Sequence, residues 1–149
     1  MQKLLIAKTR DVKTPTRGTD KSAGLDFYVP NDFPGTHYLA QGQDVNIPSG
    51  IKVRVPENTA LIVKNKSGQA LKKGLQVGAC VIDEDYQGEI HIHVRNIGLD
   101  VVEIKPGEKL VQVLIIPIIY LEPELVNDED LFEETTIRGD GAFGSTGTE

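Results

Sequence analysis

The sequence predicts an all-β domain, a sandwich or barrel of short strands with one short helix and a flexible glycine-rich C-terminal arm. Three observations carry this expectation. Branched apolar residues alternate with polar ones at the strand period of two in several short runs. Turn residues punctuate those runs, and the 15 glycines and 8 prolines of the 149 residues are many for a helical protein. Helix signals are confined to a single segment.

Taken in order, Pro48-Ser49-Gly50 marks a turn before Ile51-Lys52-Val53-Arg54-Val55, whose apolar members share one face. Pro56-Glu57-Asn58 turns the chain into Leu61-Ile62-Val63, a continuous apolar run that reads as a strand buried on both faces. Ser67-Gly68-Gln69-Ala70-Leu71-Lys72-Lys73-Gly74 is the helix, with Ser67 as N-cap and Gly74 as terminator. Alternation returns in Ile90-His91-Ile92-His93-Val94, followed by turns at Asn96-Ile97-Gly98 and Lys105-Pro106-Gly107. Residues 110–119 are again apolar enough to be buried on both faces. Residues 127–136 form an acidic linker, and residues 137–149 an arm too poor in apolar side chains to build a core. The domain is therefore drawn as residues 1–136 and the arm as 137–149.

A formal net charge of −6 argues against a general nucleic-acid binder, which must neutralise a phosphate backbone. A single anionic ligand stays open, because Lys64, Lys66, Lys72 and Lys73 crowd one short stretch. The lone cysteine, Cys80, has no internal disulfide partner, which points to a reducing, cytoplasmic setting. The apolar part of MQKLLIAKTR is too short for a secretory h-region, and no run is long enough for a membrane span.

Three segments could carry chemistry. Between Gly78 and Ile90 three acids (Asp83, Glu84, Asp85) and Tyr86 lie where a hairpin would turn, and an acid fixed at a strand end suits a general base. A solvated acidic turn is the bland alternative; an EF-hand calcium loop fails for want of its later ligands. Lys66-Ser67-Gly68 offers an ammonium, a hydroxyl and helix-start amides to an anion, against the alternative of an ordinary capped helix. In residues 138–147, Arg138 and two hydroxyls supply donors, glycines let backbone amides face a phosphate, and Phe143 is isolated from any core and suits a flat ligand. His91 and His93 share a strand face without a third metal ligand nearby and read as a polar sheet face. Cys80 reads as a small buried side chain rather than a nucleophile.

In this order the fragments resemble the five motifs of the trimeric dUTP diphosphatase family: Ala23 to Phe27, Lys66 to Ala70, Gly78 to Glu89, Gly107 to Gln112, and Arg138 to Gly147. The resemblance runs from about residue 20 to the C-terminus. It implies a jelly-roll-like β-barrel, a homotrimer with active sites at subunit interfaces, and hydrolysis of dUTP to dUMP and pyrophosphate. On it, Asp83 is the base for the attacking water, and Tyr86 packs under the deoxyribose and excludes a 2′-hydroxyl. The backbone around Cys80, Val81 and Ile82, with a contribution near His91, reads uracil. Lys66, Ser67, Gly68 and Gln112 hold the α- and β-phosphates; Arg138, Gly144, Ser145 and Thr146 hold the β- and γ-phosphates; and Phe143 stacks on the base. Mg²⁺ bridges the phosphates, with no direct protein ligand assigned and Asp26 the candidate outer-shell acceptor.

The chain departs from the family pattern in places. Lys66 and Lys109 stand where arginines are usual, Gln69 where an apolar residue is common, and Ala142 where a glycine is usual. Val77 replaces an asparagine that contacts uracil in some bacterial relatives, and Cys80 aligns with a glycine or another small residue. A dCTP deaminase of the same fold is the nearest rival, and Lys66-Ser67-Gly68 and Ile82 to Tyr86 side against it. A non-catalytic nucleotide-binding trimer with a regulatory protein partner is the rival from another class.

Overall fold

A computed structural model describes residues 3–142. The described residues form β1 (Leu5–Lys8), β2 (Thr16–Arg17), β3 (Leu25–Tyr28), β4 (His37–Leu39), β5 (Asp44–Pro48), β6 (Ile51–Arg54), β7 (Thr59–Asn65), α1 (Ser67–Lys73), β8 (Leu75–Val77), β9 (Val81–Ile82), β10 (His91–Asn96), β11 (Val102–Ile104) and β12 (Lys109–Pro117). The fold is all-β with one short helix, as expected from the sequence. Every strand pairing is antiparallel. The chain divides into two compact units, residues 1–119 and 120–149, and all strands and α1 lie in the first.

The largest sheet runs β2-β3-β12-β7-β9; a second runs β5-β10-β8, and β1-β6 and β4-β11 form two-stranded ribbons. Alternation decides which face is buried. In β6, Ile51 and Val53 point inward while Lys52 and Arg54 face water; in β10, Ile92 and Val94 are buried while His91, His93 and Arg95 share the other face. These inward residues meet Phe27, Leu39, Ile47, Leu61, Ile104 and Leu110 in one core. Burying a side chain of this kind stabilises the fold by about 1.5–3 kcal/mol, so the sheets form a firm frame for the loops.

β12 departs from expectation. Leu110, Val111 and Val113 are buried, but Ile115 and Ile116 are each 37% exposed and Ile119 is 83% exposed. The run expected to be buried on both faces is therefore covered only in its first half.

Turn chemistry is met as the sequence suggests. Gly50 has φ 73°, and a Cβ there would lie 2.3 Å from Arg10 Cγ. Gly74 ends α1 at φ 65°, and a Cβ would lie 2.7 Å from Gly98 Cα, so backbone angle and crowding both require glycine. The start of α1 differs: Lys66, not Ser67, is the N-cap residue, and no side chain caps the helix. Ser67 is already helical, so its hydroxyl is not in the extended N-cap position that turns back onto the first amides.

The buried polar groups Ser49 and Asn96 are satisfied. Asn96 donates to the carbonyls of Leu39 and Asp100 and accepts from Gly98 N–H, fastening the end of β10 to its loop. In the second unit the described residues hold a single 3₁₀ turn at Asp128–Asp130 and two tight turns around Gly139. The acidic stretch grouped with the barrel by composition falls in this unit.

Candidate active site

Residues 78–90 join the paired strands β8 and β10, but not as a simple turn. Part-way along, β9 leaves for the five-stranded sheet and pairs with β7, Ile82 opposite Leu61 and Val81 opposite Ile62. The segment thereby bridges two sheets and borders a cleft of about 220 Å³ lined by Ala79, Val81, Ile82, Asp83, Tyr86, Ile90 and His91. Five of the sequence-predicted site residues meet here. Ala79 and Ile90 were not among them; they carry no polar group, and only the sheet crossing reveals that they line a cleft. Cys80 is half-buried rather than buried, and its carbonyl accepts the Val63 N–H at 2.7 Å.

The acid expected at the end of a buried strand is exposed, because β9 is only two residues long and Val81 is itself 60% exposed. Asp83 is instead held by a local turn, its carbonyl accepting Tyr86 N–H at 3.2 Å. The Tyr86 hydroxyl donates to the Glu89 carbonyl at 2.8 Å, and a Cβ on Gly88 would lie 2.3 Å from that hydroxyl. Glycine at 88 is thus what lets the Tyr86 ring lie over the backbone. The Glu89 carboxylate accepts Arg10 Nε–H at 3.0 Å and Gly50 N–H at 2.6 Å, fixing the far end of the loop. Burial opposes ionisation of Glu89, but the Gly50 amide and the Arg10 guanidinium outweigh it and hold the carboxyl below its ordinary value.

A second cleft, of about 400 Å³, is lined by Lys66, Ser67, Gly68, Gln69, Lys72, Lys73 and Gln112. The predicted phosphate-holding residues of the second and fourth segments come together there. α1 has only seven residues, so attraction for an anion rests mainly on the lysines. Gln112 donates to the Asn65 carbonyl at 2.9 Å, and a Cβ at Gly24 would lie 2.7 Å from Gln112 Oε1. The unusual Gln69 has a structural use: its amide donates to Glu108 and to the Lys109 carbonyl, each at 3.0 Å.

Asp26 links these segments. It is 5% exposed on β3; Lys66 donates to its Oδ1, and Lys109 Nζ lies 3.0 Å from its Oδ2. Burial alone would raise its pKa, yet the hydrogen bonds and charges of the two ammonium groups bring it below the ordinary value. Lys109 is raised in turn by its hydrogen bond to Asp26. With both oxygens engaged by ammonium groups, Asp26 serves first as their shared partner. Among the described residues no group of three or more His, Cys, Asp or Glu could hold a metal ion.

A larger cavity, about 810 Å³, lies between the end of α1 and residues 98–108. It gathers none of the predicted site residues, and its Lys73 and Lys105 are paired with Glu108 and Glu103. In the second unit, Arg138 Nε donates to the Gly141 carbonyl at 3.0 Å. Phe143, Gly144, Ser145 and Thr146 lie outside the described residues.

The dUTPase family model matches residues 10–147. A deoxyuridine 5′-triphosphate nucleotidohydrolase of Ehrlichia canis is 36% identical over 147 residues, covering 97% of this chain and 94% of that protein. The chain belongs to the dUTPase family. An Arabidopsis thaliana protein of the same name is 39% identical over 133 residues, 89% of this chain and 75% of its own. Among solved structures, the dUTPase of Staphylococcus bacteriophage 80alpha with dUpNHpp matches with a TM-score of 0.81, at 22% identity over 99% of both chains. A dUTPase variant from phage phi11 of S. aureus, whose structure shows coordination of a structural Mg(II) ion, matches at 0.74 and 21% identity, over 85% of this chain and 98% of that one. At these identities the two structures establish the dUTPase fold. Within that fold, this dUTPase chain carries lysines at 66 and 109, and both close on the one carboxylate of Asp26.

Proposed function

We propose that the chain hydrolyses dUTP to dUMP and pyrophosphate, limiting uracil incorporation into DNA. The carrying observation is the cleft between the two sheets, with Asp83 and Tyr86 among the residues that line it. Asp83 takes a proton from water as the water oxygen bonds to the α-phosphorus; the bond from that phosphorus to the bridging oxygen breaks, and pyrophosphate leaves with the electron pair. Tyr86, held by Glu89 and Gly88, fills the space a 2′-hydroxyl would need, so UTP is rejected sterically. The uracil edge is read by backbone groups of residues 79–82 and near His91, and Phe143 stacks on the base. The Cys80 carbonyl already accepts Val63 N–H, which ties this stretch to β7.

Lys66, Ser67, Gly68 and Gln112 hold the α- and β-phosphates, and Arg138, Gly144, Ser145 and Thr146 hold the β- and γ-phosphates. Mg²⁺, bound with the triphosphate, would neutralise phosphate charge. The working form is a cytoplasmic homotrimer. The exposed Ile115 and Ile116 at the end of β12 support the assembly, as an apolar strand end that the single chain leaves uncovered.

The test is pyrophosphate release from dUTP with Mg²⁺, beside UTP, dTTP and dCTP and an Asp83→Asn control. Release from dUTP alone, lost in the control, is expected. Ammonia from dCTP, or tight dUTP binding without turnover, would overturn the reading.

A further inference from the structure

In the sequence His93 reads as part of a polar sheet face; in the structure both of its ring nitrogens are engaged. It lies on β10 opposite Asn46 of β5, and on the other side its carbonyl accepts Gly78 N–H at 3.0 Å. Ala79 N–H points at Nδ1, 3.2 Å away, so Nδ1 must be the acceptor. Nε2 then carries the hydrogen and donates to Asp44 Oδ2 at 2.9 Å. Gly78 completes the fit: a Cβ there would lie 1.9 Å from Nδ1, so the ring rests against backbone that only glycine leaves bare.

We propose that His93 is a positioning residue for the base pocket, its neutral imidazole holding the Gly78–Ala79 backbone in the conformation that reads uracil. This rests on the dUTP-hydrolysing reading of the cleft above. Ala79 lines that cleft, and Val81 and Ile82 follow it. From 78 to 80 the chain is tied by Gly78 N–H to the His93 carbonyl, Ala79 N–H to the His93 ring, and the Cys80 carbonyl to Val63. The ring is the only side chain in this set. Without it the peptide before Ala79 loses the partner that orients it, whereas Asp83 keeps its own turn to Tyr86. Base binding should therefore suffer and the chemical step should not.

Two measurements test this on the full-length protein at pH 8. In ¹⁵N-labelled, ligand-free protein, the amide resonance of Ala79 should move in His93→Phe and return toward its wild-type position in His93→Asn, which keeps an acceptor near the Nδ1 position. The KM for dUTP should rise about five- to tenfold in His93→Phe at nearly constant kcat, the size expected for one hydrogen bond, and His93→Asn should recover most of that loss. An Ala79 resonance at the same position in wild type and His93→Phe, or a KM in His93→Asn equal to that of His93→Phe, overturns the proposal. Failure of the functional reading shows separately, as absence of dUTP turnover by the wild type at pH 8.

Discussion

Replacing Asp26 with asparagine separates the ion-paired core of the phosphate-side cleft from the rest of the fold. The Asp26 side chain is 8% exposed, and the Lys66 side chain that donates to it is 28% exposed. A hydrogen bond to a charged group contributes about 1.5–3 kcal/mol. Asparagine keeps one acceptor, and the Lys66 ammonium can partly rehydrate, so a loss of about 1–2 kcal/mol is expected at pH 7. Lys109, lying open to solvent, adds no more than a screened contact. Because the folded pKa of Asp26 is depressed, its stabilisation is present above the unfolded value of ~3.9 and is lost as pH falls through the folded value. Asparagine does not titrate. The deficit of Asp26→Asn should therefore be constant from pH 7 to about 5, shrink below about 4, and vanish below the folded pKa. Urea unfolding followed by circular dichroism, at one protomer concentration because assembly stabilises the native state, measures it. Equal stability at pH 7, or a deficit unchanged at pH 3, would refute the assignment of Asp26 as the lysines' shared partner.

Three further outcomes are expected. Asp83→Asn should lower kcat by about 10²- to 10⁴-fold, as loss of a general base does; calorimetry with a non-hydrolysable dUTP analogue should show little change in affinity. Gly88→Ala places a methyl 2.3 Å from the Tyr86 hydroxyl. The displaced ring should cut the preference for dUTP over UTP in kcat/KM by about tenfold, and an unchanged ratio would remove Tyr86 from ribose rejection. Ile116→Asp puts a charge on the uncovered end of β12, and sedimentation should then report a smaller species than wild type; an unchanged profile means that this surface is not the interface.

Much of the strand pattern was legible because it is local. Alternation in residues 51–55 and 90–94 follows from the two-residue period of a pleated strand, and Gly50, Gly74 and Gly107 adopt the positive φ angles that their turns demand. Lys66 as N-cap in place of Ser67 was less legible, since helix ends are set by the backbone's entry angle as well as by residue type. The exposed end of β12 misled for another reason: an apolar run reads the same whether its own chain or another molecule covers it.

The all-β class and the place of the helix were readable along the chain, because period and turn chemistry are properties of neighbouring residues, whereas the motif residues from Asp26 to Arg138 were picked out by their resemblance to a known family. Tertiary structure alone decided what those residues touch. It routed β9 into the sheet opposite β10 and so opened the cleft. It brought Lys66 and Lys109 onto one buried carboxylate, and it placed His93 against the bare backbone of Gly78. Each of these contacts joins positions that the chain holds far apart, and their geometry follows from how the sheets pack, which no local pattern encodes.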